Sequence, residues 1–243
     1  MNVDQKELVN IISNDDIEQF KNIQASKYLV NIQLLPFERL KIPNDPKLYC
    51  PKGATALIYC VLCQSTKILE YIIKFENLYS PDYFKEVEGF FPLLCSILTK
   101  DIHCFYLLAD RIFGGSDTEN SKKSEVLEKL IRSSCVNGNY EALIQLLTNY
   151  VDNLKDNDLL KLSYTKLDPI LATICFKFST YDSETLEAIE QQSEKDQNSH
   201  IQKRLSDYYE IISLDDDEIN LRYNSIINNF TDFSPRKWPE IQI

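Results

Sequence analysis

The sequence predicts an all-α protein: a solenoid of helical hairpins, closed at its C-terminal end by further helices. Three observations predict it. Apolar residues recur at helical spacing in segments of about 8 to 12 residues, and strand-like alternation is scarce. Helices that short are marginal alone and must pack on neighbours. A pattern of apolar and small residues also returns along the chain, at a period close to ~33 residues with insertions.

The first copy is Leu8-Val9-Asn10-Ile11-Ile12, followed by Asp15-Asp16-Ile17-Glu18 and Phe20. The second runs from Gly53-Ala54-Thr55-Ala56-Leu57 through Gln64-Ser65-Thr66 to Tyr71-Ile72-Ile73. The third, from Gly89-Phe90-Phe91-Pro92-Leu93 through Lys100-Asp101 to Leu107-Leu108, overlays the second without a gap. The fourth passes from Leu130-Ile131 through Gly138-Asn139-Tyr140 to Leu146-Leu147. The fifth begins at Asp168-Pro169-Ile170-Leu171-Ala172 and resumes at Glu184 to Ile189. In this register Leu8, Leu57, Leu93, Ile131 and Ile170 are equivalent core positions.

This pattern resembles the ankyrin repeat, with its Gly-x-Thr-Pro-Leu-His-x-Ala-Ala helix, glycine turn and second helix ending in Leu-Leu. The resemblance covers about residues 4–190 and is best at 53–73, where Gly53, Thr55 and Leu57 all match. Pro92 and Pro169 fill the motif's proline position, a first helical position where a missing N–H costs nothing. Where the motif turns on glycine with positive φ, this chain has Asp15, Gln64, Lys100 and Lys177. The last three are expected to cost about 1 kcal/mol each. The family's Asn/Asp hairpin loop is hardly visible. Ser80-Pro81-Asp82 reads as a helix start, Ser as N-cap and Pro at the first helical position. Residues Gly114 to Lys123 read as an inserted loop.

The domain reading is a repeat array over 1–190, acidic C-terminal capping helices over 191–230 and a tail over 231–243. Within the cap, 191–200 is polar and linker-like, and 201–230 is patterned as a helical pair. Exposed end repeats need a polar outer face, which this segment supplies.

The chain has 243 residues and a net charge of −11. Twelve acids against three bases lie between Asp182 and Asn220, so most of the charge belongs to this late segment. It reads first as a solvated helical face and second as a docking surface for a basic partner. An acidic chain repels phosphate backbones, which disfavours nucleic acid. No uncharged apolar run approaches the roughly 18 residues of a membrane span. Acids within the first 16 residues argue against a signal or transit peptide. The expectation is a soluble protein of the cytoplasm or nucleus, its seven cysteines reduced.

Little in the sequence suggests catalysis, and no cofactor or metal is expected. Cys60-x-x-Cys63 lacks a second Cys/His pair for zinc and a βαβ context for redox work. Cys60 and Cys135 fill small slots of the motif, where a thiol packs as a small hydrophobe. His103 and Cys104 are adjacent on one helix and point about 100° apart, so they form no dyad. Asp215-Asp216-Asp217-Glu218 lacks the spacing of a calcium loop and suits a helix N-terminus. No glycine-rich phosphate loop is present. Ser234-Pro235-Arg236-Lys237 makes Ser234 a candidate phosphosite.

The ankyrin resemblance implies a non-catalytic adaptor or scaffold that binds a protein or peptide, a basic one among the candidates, on a concave face. The positions it implies are Lys52, Leu62 and Cys63; Val87, Glu88, Phe90, Leu98 and Thr99; Val136 and Asn137; Tyr164 and Phe176. Two alternatives stand beside it: an acidic inhibitor or chaperone that masks a basic partner, and an unrecognised helical enzyme.

Overall fold

The computed structural model describes residues 4–23, 29–34, 40, 42, 43, 45, 47–113, 120–151, 157–179, 181, 184, 187, 188, 210, 211 and 213–229. Among these residues the protein is all-α. Twelve helices are present, and extended pairing is limited to isolated bridges. The chain divides into two compact units between Ser133 and Ser134, inside the eighth helix.

The first unit holds three helical hairpins. They are α1 (Gln5–Ser13) with α2 (Ile17–Asn22), α3 (Ala56–Leu62) with α4 (Thr66–Lys74), and α6 (Pro92–Leu98) with α7 (Ile102–Phe113). The single turn α5 (Glu76–Tyr79) follows α4, and α8 (Asn120–Asn137) begins in this unit. Each first helix packs on the next first helix, α1 on α3 and α3 on α6. Each second helix does likewise, α2 on α4 and α4 on α7. The result is two layers, with Leu8, Leu57 and Leu93 fully buried at matching places in the first. Residues Lys6, Glu7, Asn10, Glu18 and Gln19 are exposed.

One turn geometry joins every hairpin. Asp15, Gln64 and Lys100 have φ of 48°, 58° and 55°. At each, the turn residue's N–H donates to the carbonyl three residues back (Ile12, Val61, Ile97). The next N–H donates to the carbonyl five back (Ile11, Cys60, Ser96). This is the Schellman motif, which satisfies the end carbonyls of a helix. Glycine adopts its left-handed residue without strain, so three non-glycine residues here are a real cost.

Two of these residues use their side chains across hairpins. Asp15 accepts hydrogen bonds from the backbone N–H groups of Lys67 (3.3 Å) and Ile68 (3.1 Å), capping α4. Ser65, the N-cap of α4, makes no side-chain cap bond of its own and donates its hydroxyl to the Ile12 carbonyl. Gln64 Nε2 donates to the Thr99 carbonyl at 3.1 Å.

The second unit repeats the motif twice. Gly138 (φ 61°) joins the end of α8 to α9 (Tyr140–Tyr150), with N–H bonds from Gly138 to Cys135 and from Asn139 to Ser134. Leu167 (φ 49°) joins α10 (Asn157–Lys166) to α11 (Pro169–Phe178), with the same two bonds to Tyr164 and Ser163. Helix α11 packs on α9, α10 and α12 (Asp216–Asn229).

The Leu167 turn corrects the register of the fifth copy. Helix α11 is the second helix of its hairpin, not the first, and α10 is its partner. Asp168 caps α11 by accepting from Leu171 N–H (3.0 Å), as Asp16, Asp101 and Asn139 cap α2, α7 and α9. The core position is Leu160, fully buried and seven residues before the turn, whereas Ile170 is 37% exposed. Lys177 is therefore inside α11 and not in a turn. Pro169 does sit at a first helical position, but of a second helix. Of 184–189, only Glu184, Glu187 and Ala188 are described, and all are exposed.

Two smaller expectations also change. Ser80 ends a helix: it is the left-handed C-cap of α5 (φ 44°), and residues 81–84 are not helical. Residues Asn120 to Lys123 open α8 and are not loop. Of the capping segment, α12 is helical and buries Ile219 and Tyr223. Its acids form a capping box, with Glu218 N–H on Asp215 Oδ1 (2.9 Å) and Asp215 N–H on a Glu218 carboxylate oxygen (3.3 Å). The linker at 191–200, the tail at 231–243 and Ser234 lie outside the described residues.

Candidate interaction face

The twelve positions implied as partner-binding fall into three groups. Leu62 (fully buried), Cys63 and Tyr164 are core residues, and this corrects their assignment to a surface. Helix α3 lies against α1, α4 and α6, so every residue from Ala56 to Leu62 is covered, and Cys63 with them. Burial pushes the Cys63 thiol up to about 12. Burial, with Cys63 and Glu88 nearby, does the same for Cys50. All seven cysteines are buried and outside any disulfide, which is packing chemistry.

Val136, Asn137 and Phe176 belong to the second unit. Val136 is 55% exposed at the end of α8, where Lys166 Nζ donates to the carbonyls of Cys135 and Val136. Phe176 is half-buried, with its ring edge-on to Tyr181 at 5.4 Å. Val136 and Asn137 lie at the end of α8 and Phe176 in α11.

The remaining residues lie in the first unit, around the chain that enters α3 and α6. Before α6, Val87 and Phe90 exchange both backbone hydrogen bonds, at 2.8 and 2.9 Å. Glu88 and Gly89 between them have φ of 51° and 84°. Positive φ at both central positions makes a type I′ turn, the tight hairpin turn normally built on Asn-Gly. A two-residue hairpin turn thus precedes α6, with Glu where Asn is usual. Before α3, Ala54 N–H donates to the Pro51 carbonyl with Gly53 at φ 76°, the third position of a type II turn.

The two turns touch. The Lys52 backbone N–H donates to the Glu88 carboxylate at 3.2 Å. The ring of Phe90 lies 5.9 Å from that of Tyr49, planes at 60°. Tyr49 is 46% exposed, and Lys52 and Glu88 are exposed. Sequence reasoning placed Lys52, Val87, Glu88 and Phe90 here but missed Tyr49, because the signature does not reach that far upstream. Leu98 and Thr99 are half-buried at the end of α6. Thr99 is partly used internally, its hydroxyl donating to the Cys95 carbonyl at 3.0 Å.

A further strand-like segment went unread. Residues 29–34 run antiparallel to the entry of α3. The Val30 and Ile32 carbonyls accept the N–H groups of Leu57 (2.9 Å) and Ala56 (3.0 Å). Thr55 Oγ1 accepts from Ile58 N–H at 3.1 Å, so the first three amides of α3 are satisfied.

Chemistry elsewhere is sparse. His103 pairs with Glu70 at 2.7 Å on the surface. Among the described residues no group of three or more His, Cys, Asp or Glu could hold a metal ion, and no helix is long and apolar enough to cross a membrane. Comparison with protein-family models, with curated proteins and with solved structures finds no match.

Proposed function

We propose that this chain is a non-catalytic interaction module built from degenerate ankyrin-like helical hairpins, and that it binds a partner protein or peptide through the turn face of its first unit. The observation that carries the reading is the juxtaposition of Tyr49, Lys52, Glu88 and Phe90 on two rigid turns. An exposed Tyr49 ring and a half-buried Phe90 ring on the same turns as charged side chains are what a binding patch requires. The five Schellman turns support the hairpin-repeat part of the reading, since each core Leu or Ile lies seven residues before its turn residue. Asp215 and Glu218 are engaged in a helix cap, so these two acids lend no separate support to masking a basic partner.

The test is quantitative affinity purification with the wild type and a Phe90→Glu, Leu98→Glu double variant, each confirmed helical by circular dichroism. The wild type should recover partners that the variant loses. Identical partner sets would show that this face is not the binding surface.

A further inference from the structure

The turn face carries a carboxylate, Glu88, that is not engaged in an ion pair among the described residues. Glu88 is exposed, and no Lys or Arg among the described residues forms an ion pair with it. The other glutamates of the same unit are mostly neutralised locally. Glu76 pairs with Arg111, Glu86 and Glu125 with Lys129, and Glu128 with Arg132. Glu88 instead accepts one backbone N–H, from Lys52, through one carboxylate oxygen. Its turn is pinned by the two Val87–Phe90 bonds, and the same two turns that the Glu88 carboxylate links carry the Phe90–Tyr49 ring pair.

A carboxylate on the same turns as two partly exposed rings suits one side chain above others. A guanidinium is planar, stacks on aromatic faces and can hydrogen-bond a carboxylate along its edge. An ammonium gives the charge without the planar stack. Resting on the interaction-module reading above, we infer that this tip is a subsite for an arginine of a basic peptide segment in the partner protein. The guanidinium stacks on Tyr49 and Phe90 and pairs with Glu88. The attraction is local to the Glu88 carboxylate, since most of the chain's negative charge lies between Asp182 and Asn220. Lys52, exposed on the neighbouring turn, is a local cation that opposes it.

Random peptides displayed on phage are panned against the immobilised full chain. Recovered sequences are synthesised with a fluorescent label, and affinities are read by anisotropy with each arginine replaced in turn by citrulline, its neutral isostere. One citrulline replacement is expected to weaken binding by about tenfold. Glu88→Gln should bind the arginine peptide as weakly as the wild type binds the citrulline peptide, and should no longer distinguish the two. Tyr49→Ala should also weaken binding, and Lys52→Ala should tighten it. Peptides that bind wild type and Glu88→Gln equally, yet are lost on Phe90→Glu with Leu98→Glu, overturn the arginine subsite and leave the interaction face standing. Recovery of no peptide, or binding indifferent to all these substitutions, overturns both.

Discussion

Replacing Lys100 by glycine should stabilise this protein, and replacing Asp15 by glycine should destabilise it, although both occupy the same left-handed turn position. Lys100 holds φ at 55°, is exposed, and its side chain makes no hydrogen bond or ion pair among the described residues. A non-glycine residue in that conformation costs roughly 1–2 kcal/mol. Glycine removes the strain but loosens the unfolded chain by about 0.4–1 kcal/mol. The expected net gain is ~0.5–1 kcal/mol. At Asp15 the strain is smaller, because aspartate tolerates this region better. Glycine there also removes the cap that Asp15 provides for the Lys67 and Ile68 amides, worth about 0.5–2 kcal/mol. The expected net loss is ~1 kcal/mol. Urea denaturation reads both, with midpoints moving in opposite directions by a few tenths of a molar or more at unchanged slope. Equal shifts of one sign would refute the claim that Asp15 acts across hairpins. A loss of stability in Lys100→Gly would refute the claim that the turn is strained.

The register assigned to the fifth copy predicts that Leu160→Ala costs about 2–5 kcal/mol and Ile170→Ala under ~1 kcal/mol, again by urea midpoint. The reverse order would restore Ile170 as the core position. Gly89→Ala should cost ~1 kcal/mol through φ alone, since a Cβ there meets no atom within 4 Å. Thermal melts check this, and a neutral result would argue against the type I′ turn. The raised thiols predict alkaline instability. Cys50 and Cys63 ionise near 9.0 when unfolded and at about 12 when folded, so their burial is fully favourable below pH 9 and the advantage falls as pH rises toward 12. Conservative Cys50→Ala and Cys63→Ala variants should show a flatter loss over that window. In native protein at pH 8 all seven thiols should resist a thiol-specific reagent until denaturant is added.

The hairpins whose first helix follows a glycine turn could be read from the sequence, because Gly53 and Gly89 mark real positive-φ turns and Leu57 and Leu93 are core. The last hairpin could not. Asp168-Pro169 is a strong helix-start signal, but a start signal does not say which helix of a pair begins. The turn before it carries Leu167, a residue type that chemistry does not associate with positive φ. The seven-residue interval from core residue to turn was the usable clue, since Leu8 to Asp15, Leu57 to Gln64, Leu93 to Lys100 and Leu160 to Leu167 all share it. At the candidate face, spacing located the two tips, yet treated Leu62 and Cys63 as outward. One-dimensional register cannot show that α3 is enclosed by α1, α4 and α6. Tyr49 and the 29–34 segment lay outside any periodic pattern, so no local signal announced them.

The bond from Ser65 to the Ile12 carbonyl and the bonds from Lys67 and Ile68 to Asp15 bind neighbouring hairpins through their polar ends. A modular protein is often pictured as interchangeable bricks, but these two bricks are keyed. Excising the first hairpin would strip the second of its borrowed cap and bare its leading amides to solvent. Shuffling their order would mismatch donor and acceptor. Gene-level gain or loss of units in this chain would therefore succeed only where both halves of the key travel together.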